Sequence, residues 1–196
     1  MVVKIHNKQN FGGTLTKLCL DTKNLEHFCK KHQTNNPGRV ISNVGGYQSN
    51  DLDLWANEPI LSSLLNQIQI HSNKFAKEFI DKEQALDSIW ININSYKDTN
   101  KSHKHAGCDI SGVYYVKTSD DCGNIVFEHP AKDVFSYYFY RHYNSNPKEF
   151  NEYNSMFWSK PAVENILYLF PSWLNHFVEP NLNKTEKRIS FSFNTL

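Results

Sequence analysis

The chain of 196 residues lacks most of what would mark a membrane, secreted or nucleic-acid-binding protein. Its apolar runs fall far short of the roughly 20 residues that span a bilayer. The N-terminal stretch MVVKIHNKQNFGG has no apolar centre of the kind a signal peptide needs, which predicts a cytoplasmic protein. Neither sign of charge dominates: 21 Lys and Arg stand against 20 Asp and Glu, a formal net charge of +1. That balance argues against a dedicated nucleic-acid binder, which carries a basic stripe. Cysteines number only four, at 19, 29, 108 and 122, and none stands in Cys-x-x-Cys spacing. The spacing of a cysteine zinc site or redox motif is therefore absent, and the four read as free thiols, with Cys108, close to the histidine pair, open as a ligand. There is also no internal repeat and no long low-complexity segment.

What remains is an aromatic-rich globular chain, 39% hydrophobic and 14% aromatic, long enough for one domain with a sizeable core. The first 87 residues read as mainly helical. DTKNLEHFCKKH opens on a good cap and places Leu25, Phe28 and Cys29 at helical spacing. NEPILSSLLNQIQIHSNKFAKEFI offers Asn57 as cap, Pro59 for the first turn, and an apolar stripe. The stripe comprises Ile60, Leu61, Leu64, Leu65, Ile68, Phe75, Phe79 and Ile80. After Asp87 the period falls from 3.6 to 2. SIWININSY sets Ile89, Ile91 and Ile93 on one face and Trp90, Asn92 and Asn94 on the other. DISGVYYVKTSDDCGNIVFEHP, NILYLFPSWLNHFVEP and KRISFSFNTL read as further strands joined by turns. Tyr114 and Tyr115 alternate faces, so one of them points inward; Trp173 and Phe170 read as core or pocket wall. Residues 131–160 are rich in Tyr, Phe and Asn with little periodicity, and read as an insertion or lid. Helices followed by short antiparallel strands predict a helical layer on a β-sandwich or barrel.

Chemistry concentrates in four places. KSHKHAGCD carries His103 and His105; on an extended backbone, residues two apart point the same way, so both imidazoles can meet one metal ion. LFPSWLNHFVEP presents His176 just after a turn. KRISFSF places Arg188 and Ser190 on one strand face, a charged fork and a hydroxyl suited to a carboxylate. Fe(II) in oxygenases is held on one face by two histidines and one further ligand, with the other positions open. A 2-oxoacid can chelate there while a basic residue deeper in the barrel takes its remote carboxylate.

The segments WININSYKDTNKSHKHAGCDISGVYYV and LYLFPSWLNHFVEPN…KRISFSFN resemble a 2-oxoglutarate/Fe(II)-dependent oxygenase family related to the prolyl hydroxylases. The shared pattern is Trp-x-Asn, His-x-His, Ser-Gly-x-Tyr-Tyr, Phe-Pro-Ser-x-x-x-His and Arg-x-Ser-x-x-x-Asn, over residues 88–196. The resemblance implies a mainly β fold with helices, a double-stranded β-helix (jelly roll) with an N-terminal helical layer. It implies a single oxygenase domain over 1–196, with 1–87 as helical support and 88–196 as the jelly-roll core. It makes His103, His105 and His176 the iron ligands and sets Arg188, Ser190 and Tyr115 around 2-oxoglutarate, with Asn92, Asn94 and Asn100 facing the site. Fe(II), 2-oxoglutarate and O2 are the implied cofactor and cosubstrates. The implied reaction hydroxylates an amino-acid or peptidyl side chain and releases succinate and CO2. One departure stands out: most such oxygenases carry a carboxylate where this chain has His105. Asp109 is the nearest carboxylate and the alternative ligand. Two rival readings are a cupin-like metal enzyme that does not use 2-oxoglutarate and a non-catalytic jelly-roll binding module. An exposed strand edge leaves a dimer open.

Overall fold

The computed structural model describes residues 13–54, 58–134, 136 and 155–196. Helix α1 (Thr22–Asn35) begins where its cap predicts, the Asp21 carboxylate accepting from the Asn24 amide at 3.1 Å. Leu25 and Cys29, one turn apart, are its buried residues. Helix α2 (Pro59–Ala76) carries Pro59 in its first turn, where a missing N–H costs nothing. Asn57, the expected cap, lies outside the described residues; Glu58 takes the cap position without a side-chain bond. Leu61, Leu64, Ile68 and Phe75 of the stripe are buried, whereas Phe79 falls beyond the helix end and is 45% exposed.

The strands in chain order are β1 (Thr14–Lys17), β2 (Asn43–Val44), β3 (Tyr47–Gln48), β4 (Leu86–Asn94), β5 (Thr99–His103) and β6 (Ile110–Lys117). They continue with β7 (Ile125–Glu128), β8 (Phe157–Lys160), β9 (Ile166–Pro171), β10 (His176–Val178) and β11 (Arg188–Thr195). They form two antiparallel sheets, of order β1-β9-β6-β11-β4-β3 and β2-β5-β10-β7-β8. Three of these strands lie in the first 87 residues, which read as mainly helical and in which the sequence marks no strand. They are two to four residues long, too short to show an alternation, and each is defined by the longer strand it pairs with. Strand β8 likewise comes out of the stretch read as an insertion, and pairs with β7. The rest of that stretch, 135 and 137–154, lies outside the described residues.

Strand β11 is the hinge of the architecture. It pairs with β4 on one side and β6 on the other, and its residues alternate between two environments. Ile189, Phe191 and Phe193 join Ile89, Ile91 and Ile93 of β4 under Leu25, Leu64 and Ile68 of the helices. Each such buried side chain contributes about 1.5–3 kcal/mol relative to exposure. Arg188, Ser190 and Ser192 face the other way with Trp90, Asn92 and Asn94, into a cavity. Tyr114 and Tyr115 split likewise, the first to the helix-side core and the second to a cluster with Ile125, Phe127, Tyr168 and Phe170. Gly112 admits Phe193 against β6; a Cβ there would stand 2.2 Å from the phenyl Cζ. Two antiparallel sheets around a cavity, with helices against one of them, make the expected jelly roll and its helical layer. No helix among the described residues is long and apolar enough to cross a membrane.

Candidate active site

His103 ends β5 and lies directly across the sheet from His176, the first residue of β10. Directly paired residues project to the same face, so their imidazoles meet, ring centroids 4.4 Å apart. His105 follows just past the strand end, its backbone N–H donating to the Ser172 carbonyl at 3.0 Å. Its ring lies 5.1 Å from His103 and 5.3 Å from His176. One ligating atom from each of the three lies within 4.8 Å of the other two, the geometry of a group able to hold a metal ion. The Nδ1 of His103 donates to the Lys101 carbonyl at 2.7 Å, and that of His176 to the Leu174 carbonyl at 3.0 Å. A carbonyl can only accept, so these bonds place the proton on Nδ1 and leave the Nε2 lone pair free. His105 Nε2 is buried with no partner.

Burial holds all three imidazoles neutral. It pushes His176 down to about 3 and His105 to about 4, with the neighbouring His103 adding to both, and pulls His103 below the ordinary histidine range. Neutral imidazole is the form that ligates a metal. Trp90 stacks on His105 at 5.8 Å, and Phe127 and Phe170 pack against His176.

Arg188 lies in the same cavity at 1% exposure. Its Nη1 donates to three carbonyls: Cys122, Gly123 at 3.1 Å and Glu179 at 3.3 Å. Its Nη2 is buried and unpartnered. A buried guanidinium nitrogen without an acceptor is costly, and an anion would satisfy it. Ser190 and Tyr115, opposite each other across β11 and β6, line the cavity beside it. Burial raises the Tyr115 phenol above its ordinary range despite the opposing pull of Arg188. Asn92, Asn94 and Asn100 line the wall as well; Asn92 Nδ2 donates to Ser192 at 3.0 Å, and Asn100 Nδ2 to Ser42 at 3.1 Å.

Asp109 is not brought to this cluster. The AGC turn carries Gly107 at φ +82°, and the Asp109 carboxylate turns to Lys82 at 3.0 Å and Gln84 at 3.4 Å. That ammonium bond holds its pKa below the ordinary aspartate value. Trp173, read as core or pocket wall, is instead 56% exposed, because the turn ahead of β10 carries it outward. Sequence reasoning gave no role to Asn194, whose Oδ1 meets His105 Nδ1 at 2.7 Å. The final Asn of Arg-x-Ser-x-x-x-Asn was the available signal. It sits on the cavity-facing side of β11, in step with Arg188, Ser190 and Ser192.

Residues 88–194 match the family described as "Putative 2OG-Fe(II) oxygenase". No curated protein matches the sequence. The fold is similar to that of a Pseudomonas putida prolyl-4-hydroxylase at 14% identity, covering 93% of this chain and 92% of that one, with a TM-score of 0.63. HygX from Streptomyces hygroscopicus, with nickel and 2-oxoglutarate bound, is similar at 10% identity, 94% and 82% coverage, and a TM-score of 0.60. A Trichoplax adhaerens prolyl hydroxylase, in complex with a hypoxia inducible factor peptide fragment, is similar at 13% identity, 94% and 83% coverage, and 0.60. At these identities the likeness shows the fold alone; the family match runs over more than half the sequence. The chain belongs to the 2OG-Fe(II) oxygenase family and is a dioxygenase that uses Fe(II) and 2-oxoglutarate.

Proposed function

We infer that His103, His105 and His176 hold the Fe(II) and that Arg188, with Ser190 and Tyr115 beside it, holds the far carboxylate of 2-oxoglutarate. The enzyme, on this reading, hydroxylates an amino-acid or peptidyl side chain. One observation carries it: His105 Nε2 and Arg188 Nη2, both buried and without partners, belong to side chains lining a single cavity. A metal ion takes a lone pair and a carboxylate takes an N–H, so the donor set fits both groups. When bound, Fe(II) with 2-oxoglutarate and O2 supplies the oxidising power for C–H hydroxylation, with release of succinate and CO2.

The chain's own residues set the conditions for that chemistry. The histidines present neutral lone pairs without competition from protons at pH 7. Arg188 contributes positive charge and a free N–H, and burial keeps Tyr115 protonated as a hydroxyl donor. Val113, Ile125 and Phe170 form the apolar part of the wall and limit water. Three neutral ligands leave the metal's charge uncompensated by protein; the cosubstrate's near carboxylate offsets part of it, while Arg188 pairs with the far one. The peptide-bound Trichoplax enzyme of similar fold supports a peptidyl substrate. Four unpaired cysteines, two of them buried, support a reducing, cytoplasmic setting. The single-domain reading, with residues 88–196 carrying the chemistry, belongs to the same proposal.

The test is anaerobic addition of Fe(II) and 2-oxoglutarate to purified protein. A visible charge-transfer band is expected in the wild type and its loss in Arg188→Ala and His176→Ala. Folded wild-type protein that gives no band would sink the reading.

A further inference from the structure

We propose that Asn194 is a positioning residue that sets the tautomer of His105, so that its Nε2 presents a lone pair to the metal. The inference rests on the metal-site reading above and goes beyond it. His103 and His176 take their orientation from backbone carbonyls, which no side-chain substitution removes. His105 alone depends on a side chain, the Asn194 Oδ1 at 2.7 Å.

An amide can present either face to an imidazole, and the two faces have opposite effects. Oδ1 accepts and so fixes a proton on Nδ1; the NH2 group would donate and drive the proton to Nε2, blocking ligation. Here the amide is held at both ends. Ser111 Oγ donates to the same Oδ1 at 2.8 Å, and Asn194 Nδ2 donates to Ser88 Oγ at 3.1 Å. Ser111 and Ser88 lie opposite Asn194 on the two strands flanking β11. The network thus runs across three adjacent strands, β4, β11 and β6, and ends on the imidazole. Trp90, stacked on His105, limits rotation of the ring. A neutral amide also does this work without adding charge, unlike a carboxylate in the same place.

Two measurements test the role. In metal-free protein, long-range proton–nitrogen NMR correlations report the His105 tautomer: Nδ1–H is expected in the wild type and in Asn194→Asp, which keeps an acceptor. Asn194→Leu, of similar size with no acceptor, should lose that preference. Titration with Co(II), followed by its visible absorption bands, should weaken by about 10–100-fold in Asn194→Leu and stay within a few-fold of wild type in Asn194→Asp. In a His105→Ala background, Asn194→Leu should produce no further loss. An Nε2–H tautomer in the wild type, or Co(II) binding unchanged by Asn194→Leu, overturns the proposal. Equal losses from Asn194→Leu with and without His105 also overturn it, since the effect would not pass through His105. If His105→Ala leaves Co(II) affinity unchanged, the metal-site reading itself falls, and this role with it.

Discussion

His176 shows at a single residue what burial does to the site's electrostatics. It is 4% exposed, and its proton affinity falls from the ordinary 6.5 to about 3; that of His105 falls to about 4. In the unfolded chain both protonate as pH drops through 6.5, whereas in the folded chain they hold off until about 4 and 3. Between those limits the unfolded state binds more protons, so stability rises with pH across the window and is lost on acidification. Metal-free protein should therefore show a lower urea midpoint at pH 5 than at pH 7. Glu26 and Glu128, whose pKa values lie below the ordinary range, lose their contribution only at lower pH, so this interval isolates the histidines. His176→Gln should flatten the decline, as read by urea denaturation at the two pH values with chelator present. A slope equal to that of the wild type would place the acid sensitivity at other histidines. Asp109 shows the complementary point. Its ion pair with Lys82 is partly exposed and contributes little to stability, but it directs the carboxylate away from the histidines.

Strand β11 joins both halves of the protein's design, and its two faces should give separable phenotypes. Phe193 packs in the helix-side core with no exposure, so Phe193→Ala should cost about 3–5 kcal/mol of stability while leaving 2-oxoglutarate affinity near wild type. Ser190→Ala, two positions from Arg188 on the cavity face, should do the reverse. Denaturation and cosubstrate titration on the two variants decide it; a shared phenotype would contradict the division of faces. Gly123 ties the β6–β7 connection to the same strand. Its φ of +81° lies in the left-handed region, and a Cβ would stand 2.5 Å from the Glu179 carbonyl and 2.9 Å from Arg188 Nη1. Gly123→Ala should therefore lower both stability and 2-oxoglutarate affinity, because the Arg188 anchor shifts with the loop. The alternation of β4 and β11 was legible because each runs eight or nine residues with a strict period of two. Strands β2 and β3 span two residues each, and only their partners make them strands.

At the scale of the whole molecule, the site's ingredients were legible and its wiring was not. A His-x-His pair, a later histidine and an Arg-x-Ser are unusual residue types for an apolar strand pattern, so they stand out in one dimension. The Asn194–His105 bond joins residues 89 apart and exists only once three strands are in register. The turn of the Asp109 carboxylate toward Lys82 likewise joins residues 27 apart, which a reading of the local loop does not weigh. The two groups of candidate ligands also sit on different sheets. His103 and His176 belong to the five-stranded sheet, Arg188, Ser190 and Tyr115 to the six-stranded one. Metal and cosubstrate bound together would clamp the two sheets, and neither alone would. With Mn(II) in place of Fe(II) to prevent turnover, saturation at about 100 times Kd adds about 2.7 kcal/mol. At about 2–4 °C per kcal/mol for a chain of this size, the thermal midpoint should rise by about 5–11 °C. Mn(II) alone should give part of that rise, and 2-oxoglutarate without metal only a small one, because without the metal only its far carboxylate finds a charge, at Arg188. Arg188→Met should keep the metal increment and lose the cosubstrate increment; His176→Ala should lose both. A 2-oxoglutarate increment of equal size with and without Mn(II) would show that the cosubstrate binds without reference to the histidines, and the clamp across the sheets would be refuted.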